Sequence, residues 1–197
     1  QPIKESYLLT GELEKTNDAY AIAKIAGIKM CENYNIQYKT NYKCLMPTNT
    51  FGPNDSYDTL NSHFFPALIK KVHDLKLNKK KELILWGNGL AKREVLYVDD
   101  LADACIFFMK KNFFGTTLNI GTGKDFPIKQ YAKMILDKII PKNKIKIKYD
   151  LSKPNGTPRK ILDIKLANKF GWKSKTKLDE AIKKTYKDFL ENNKIVQ

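Results

Sequence analysis

Arginine, histidine and cysteine are nearly absent from this 197-residue chain: it holds two arginines (Arg93, Arg159), two histidines (His63, His73) and three cysteines (Cys31, Cys44, Cys105). Each scarcity excludes something. Three widely spaced cysteines in apolar surroundings are neither a disulfide framework nor a zinc site, and suit core thiols in a reducing cytoplasm. Because 34 of the 36 basic residues are lysine, the net charge of +15 comes with few of the guanidinium forks that read nucleic acid. Lysine spread from end to end describes a solvated surface able to attract an anionic diphosphate, and no nucleic-acid partner is expected. No apolar run approaches the ~20 residues of a membrane span, so no membrane partner is expected either. The chain opens on Gln1 without a signal-peptide pattern, which reads as a start set by a cut.

What is present is enough for a core. With 42% apolar residues the chain reads as globular, one domain or one and a half. Residues 1–16 read as a loop. A helix is expected from about Asp18 to Tyr38, capped by Asn17 or Asp18, with one buried side and with Gly27 marking close packing. A strand over Tyr42–Met46 stops at Pro47, and the Pro-, Asn- and Gly-rich stretch to Pro53 reads as a crevice loop at a strand's carboxyl end. Asn61 opens a second helix to about Leu75, and Lys79–Lys81 form a solvated hinge.

Farther along, Glu82–Trp86, Gly87-Asn88-Gly89 and Arg93–Val98 read as a hairpin. Asp99 and Asp100 cap a helix to Lys110 whose stripe is Ala102, Cys105, Ile106 and Met109. Leu118–Gly123 lacks the glycine fingerprint of a phosphate loop and reads as a strand-to-helix turn of a substrate lobe. Pro127 starts a helix that Pro141 ends, Ile145–Tyr149 is a half-exposed strand, and two structural helices around 164–170 and 178–192 close the chain.

Tyr20 and Lys24, four apart on one helix face, put a phenol beside an ammonium, a pair able to relay a proton to a carbonyl oxygen. Spacing alone is weak. Ten tyrosines among 34 lysines give about two such matches by chance, and two occur, the other being Tyr149/Lys153 in a turn before Pro154.

Context strengthens the first pair. Leu9-Thr10-Gly11, Asn17 through Gly27, Met46–Pro53, Asn61-Ser62-His63 and Lys153–Lys160 together resemble the extended short-chain dehydrogenase/reductases over nearly the whole chain. Within that family the nearest pattern is the NADPH-dependent epimerase-reductase of GDP-4-keto-6-deoxymannose. The resemblance implies an α/β fold: the C-terminal half of a Rossmann-type domain plus a smaller α/β lobe that binds the GDP-sugar. Residues 1–60 would belong to the NADP-binding domain and 61–197 mainly to the lobe, with some segments returning. It further implies Tyr20, Lys24 and His63 as catalytic residues. Lys24, Pro47, Asn49, Thr50 and His63 would meet NADP(H), and Lys71, Trp86, Arg93, Asn155 and Lys160 the GDP-sugar. Lysine at 71 stands where the family has arginine, and Asn155 where it has aspartate.

The family's glycine-rich diphosphate loop, its catalytic serine and its acid/base cysteine have no counterpart here and would lie upstream of Gln1. The expectation is therefore a chain that lacks an N-terminal Rossmann half, binds NADPH weakly, is inactive alone and associates as a homodimer through the Tyr20 helix. Two other readings stay open: another nucleotide-sugar epimerase or dehydratase, and a non-catalytic nucleotide-sugar-binding or dimer-forming module.

Overall fold

The computed structural model describes residues 1–58, 62–111, 115 and 117–192. A 3-10 turn (Glu5–Tyr7), six α-helices and eight short strands make up the regular structure of these residues. β1 (Cys44–Pro47) pairs in parallel with β5 (Thr117–Ile120), and β3 (Glu82–Trp86) in parallel with β7 (Lys146–Asp150). β4 (Lys92–Tyr97) is the hub: it meets β2 (Asn49–Phe51) and β8 (Arg159–Lys160) in parallel and β6 (Asp125–Pro127) antiparallel.

Successive side chains of a strand point to opposite faces, and β4 uses both. Val95 and Tyr97 enter a core built with α2 (Phe64–Leu77), α4 (Ile128–Ile139) and α6 (Leu178–Asn192). Leu96 enters a second core with α3 (Val98–Met109), β5, α5 (Lys165–Lys169) and Trp172. One strand thus joins two hydrophobic clusters.

The remaining helix behaves differently. α1 (Asp18–Tyr38) has the expected length, but Ile28 is its one buried residue among those described. Ile22, Met30 and Ile36 are 56, 60 and 69% exposed, so the expected buried side is open. Nothing lies within 4 Å of where a Gly27 Cβ would be, which corrects the close packing expected there. A helix-interior glycine with open space around it costs conformational entropy for no contact. We expect Gly27→Ala to raise stability by roughly 0.5–1 kcal/mol, read as a higher urea midpoint at unchanged slope.

Other expectations are corrected in detail. Asn17 holds the cap position without a side-chain bond, and Asp18 Oδ1 accepts from Ala19 N (2.6 Å). Asn49–Phe51, read as loop, is a strand because β4 offers it a ladder. β3 and β4 form no hairpin: Gly87 and Gly89, both at positive φ, turn the chain away so that β3 pairs with β7. Asn61 lies outside the described residues, and α2 begins at Phe64 with His63 at its cap position making no cap bond.

Asp99 and Asp100 sit inside the first turn of α3 rather than at its cap. Asp100, buried, accepts from Thr176 N (3.1 Å) and Thr176 Oγ1 (3.0 Å), clasping the loop before α6. The buried side of α3 is Ala104 and Phe108, whereas Ile106 and Met109 are 56 and 77% exposed. The apolar stripe assigned from spacing is on the wrong face, and Cys105 is exposed rather than a core thiol. The turn after β5 leads into β6 before α4, and Pro127 closes that strand at the cap position of the helix. Among the described residues no helix is long and apolar enough to cross a membrane.

Candidate functional site

A cavity of about 270 Å³ opens between α2, the end of β3, β4 and the loop before β8. Lys71 reaches it from α2, Trp86 from the last position of β3, Arg93 from β4, and Asn155 from the loop. These four are separated by up to 84 positions in sequence, and the fold brings them to one wall.

The cavity is cationic and aromatic. Lys71 Nζ lies 5.1 Å from the Trp86 ring centroid, and Lys153 Nζ lies 5.7 Å from it. Trp86 is 51% exposed, so its ring is available to a ligand as well as to the two ammonium groups. Burial pushes the Lys71 ammonium and the Arg93 guanidinium below their ordinary pKa values, because a partly desolvated cation lacks part of its hydration. Among the described residues neither forms an ion pair, and no carboxylate lines the cavity. Such a surface draws an anion that also presents a planar ring.

Arg93 is aimed by its neighbours. Its Nη1 donates to Lys92 O (2.8 Å) and Thr157 O (2.5 Å), which fixes one edge of the guanidinium. Gly156 carries no side chain beside it, and a Cβ there would stand 3.2 Å from Nη2. Asn155 is held too: its Oδ1 accepts from Asn88 N (2.7 Å) and occupies the space a Gly87 side chain would take. The loop wall is thereby latched to the turn after β3. Lys160 is exposed and pairs with Arg93 across the β4–β8 ladder, which sets the two cations on the same face.

The other predicted residues do not line this cavity. His63 is exposed at the head of α2, between Ser62 and Phe64, which do line it. The Asp55 carboxyl is pushed above the usual range mainly by burial, with bonds from backbone N–H groups and the electrostatic influence of His63 opposing. Tyr20 and Lys24 adjoin each other, Nζ being 5.2 Å from the phenol ring centroid, on the open side of α1 with Tyr20 64% exposed. Pro47 ends β1, while Asn49 and Thr50 pair with Val95 and Leu96. Asn49 Nδ2 donates to Glu94 O (2.9 Å). His73 bonds to the Tyr186 hydroxyl (Nδ1···O 3.0 Å) in an aromatic cluster.

Sequence reasoning missed three contributors. Lys153, counted in the loop that resembles the family but not itself named as a site residue, sets its Nζ over the Trp86 ring. Asp55 interacts electrostatically with His63. Glu94, next to Arg93, is completely buried. The adjacency of Arg93 and Glu94 was the one available signal for the last. A larger cavity, about 620 Å³, lies behind Tyr97 and Tyr131 and contains none of the predicted residues. No group of three or more potential metal ligands occurs among the described residues.

Parallel strand pairs with helices between them are the α/β architecture of the extended short-chain dehydrogenase/reductases. The family model described as NAD dependent epimerase/dehydratase family matches residues 1–121, and the chain belongs to that family. The chain is 45% identical over 192 residues to a putative GDP-L-fucose synthase 2 of Arabidopsis thaliana, covering 98% of this chain and 58% of that protein. It is 42% identical over 201 residues to the GDP-L-fucose synthase of Escherichia coli K12, covering 98% and 62%.

Solved structures agree on the fold. A GDP-L-fucose synthetase from Naegleria fowleri bound to NADP superposes with a TM-score of 0.90 at 26% identity, over 98% of this chain and 62% of that one. A GDP-D-glycero-L-gluco-heptose synthase from Campylobacter jejuni, solved in the presence of NADPH, gives 0.83 at 31% identity, over 97% and 65%. The chain thus spans 58 to 62% of the length of these curated relatives.

Proposed function

We propose that this chain forms the GDP-sugar-binding and proton-transfer part of a GDP-L-fucose synthase, which epimerises GDP-4-keto-6-deoxymannose at two carbons and reduces its ketone with NADPH. The observation that carries the reading is the cavity in which Lys71, Trp86 and Arg93 meet with no carboxylate among its lining residues. An indole flanked by two ammonium groups covers a flat ring, and the free edge of Arg93 together with Lys160 engages a diphosphate through charge-assisted hydrogen bonds. Sequence likeness to GDP-L-fucose synthases of a plant and a bacterium supports the same substrate class.

His63, at the cavity mouth, is the acid/base for epimerisation, because an imidazole can both accept and donate a proton. The carbonyl of the sugar acidifies the protons on the adjacent ring carbons, and His63 removes or returns one of them. Tyr20 protonates the ketone oxygen during reduction, with the Lys24 ammonium 5.2 Å from its ring centroid.

Pro47 and Asn49 would meet the nicotinamide: Pro47 is the last residue of β1 and Asn49 the first of β2, and Asn49, whose Nδ2 donates to Glu94 O, keeps Oδ1 for an amide donor. NADPH, when bound, supplies the hydride. In this reading residues 1–60 belong to the dinucleotide-binding domain and 61–197 mainly to the substrate lobe, with β5 returning to pair with β1. The diphosphate half of NADPH then rests on a Rossmann half carrying the glycine-rich loop that these residues lack, and turnover needs that half. The protein works in the cytoplasm as a homodimer whose contact is the open side of α1. Destabilisation by Gly27→Ala would mark close helix contact at that position.

Calorimetry tests the substrate assignment directly. GDP is expected to bind with micromolar affinity and UDP at least tenfold more weakly. Equal binding of the two would point to another nucleotide-sugar enzyme, and no binding of either would overturn the reading.

A further inference from the structure

The face of β4 opposite Arg93 is built as an anchor. Glu94 points there and is 0% exposed. A buried carboxylate is costly unless its lone pairs are met, and four donors meet these. Oε1 accepts from Thr122 N (2.6 Å), Gly123 N (2.7 Å) and Thr122 Oγ1 (3.3 Å), and Oε2 accepts from Leu162 N (2.8 Å). Gly121 leaves room for the group, since a Cβ there would collide with it. The Glu94 carbonyl also accepts from Asn49 Nδ2 (2.9 Å) and Thr48 Oγ1 (3.3 Å).

The bond to Leu162 bears on the ligand. Residues 154–162 run from the cavity wall through β8, and β4 and its flanking turn grip this strap at intervals. Asn88 N donates to Asn155 Oδ1, Arg93 to Thr157 O, Lys92 N to Pro158 O (2.8 Å), and Leu162 N to Glu94. Between them Arg159 reaches over β4 to Asp125 with Nε (2.5 Å) and Nη2 (3.2 Å). Glu94 is the buried charged group among these attachments, and its bond lies two residues beyond Lys160. The register it defends is the one that sets Lys160 opposite Arg93.

We propose that Glu94 is a positioning residue for the diphosphate-binding face: through Leu162 it holds the strap in the register that aligns Lys160 with Arg93. The inference rests on the nucleotide-sugar reading above. Glu94 touches no ligand in this scheme. A carboxylate is required because every group aimed at it is a donor. Glutamine, of the same size, must turn its own NH₂ toward at least one of them and so loses either the turn or the strap.

The test is to titrate GDP and GMP into the parent chain and into Glu94→Gln. The parent should prefer GDP, whose second phosphate reaches the paired cations. In E94Q that preference should fall at least tenfold while GMP affinity stays within twofold. A merely structural role would weaken both nucleotides equally, and that result, or an unchanged GDP/GMP ratio, would overturn the proposal. If E94Q melts below the assay temperature, Glu94→Asp keeps the charge but shortens the reach, and the same ratio decides. A parent that binds no GDP would sink the nucleotide-sugar reading first and this inference with it.

Discussion

Arg93→Lys should bind GDP roughly ten- to a hundredfold more weakly than the parent, with the circular dichroism spectrum unchanged. The guanidinium does two jobs at once. One edge is spent on Lys92 O and Thr157 O, which orients the group and holds the strap, and the other edge faces the cavity. A lysine keeps the charge but cannot present two fixed edges, so it either drops the strap or leaves the phosphates. Charge-assisted hydrogen bonds contribute about 1.5–3 kcal/mol each, and losing one accounts for the predicted range. GDP affinity of R93K within threefold of the parent would show that Arg93 is structural and that the phosphates lie elsewhere.

Trp172→Ala should cost about 3–5 kcal/mol of stability, the largest single-residue loss we expect. The indole is 2% exposed, lies beside Phe108 with ring centroids 6.4 Å apart, and donates through Nε1 to Asp103 Oδ2 (3.0 Å). Removing it empties the centre of the core shared by α3, β5 and α5 and leaves Asp103 with Lys175 alone. A domain of this size is commonly stable by about 5–15 kcal/mol, so the variant stands near the edge of folding. Urea unfolding followed by fluorescence measures it, and a loss under 1 kcal/mol would mean that the surrounding side chains close the gap.

The helices were the most legible part of the sequence, because the 3.6-residue period of α2, α4 and α6 is imposed by one core that they share. Where a helix has an open side the period misleads: α1 and the Ile106 side of α3 carry apolar residues that no described element covers. The hairpin failed for a related reason. Two glycines signal a turn but not which strand will pair, and β3 found β7 some 60 residues away.

Lys71, Trp86, Arg93 and Asn155 share no local pattern, and resemblance to a family, rather than spacing, named them together. Glu94 and Lys153 escaped because their significance is tertiary. A buried glutamate reads as an ordinary strand residue until four donors from two segments are seen to converge on it.

The double use of β4 restricts how this protein can change length. Because its odd-numbered side chains serve the cavity and one core while the even-numbered ones serve the other, removing or adding a single residue in 90–92 would exchange the two sets. Arg93 would turn inward and Glu94 would face the cavity. Substitution can therefore tune this strand, but insertion and deletion are confined to the outer loops.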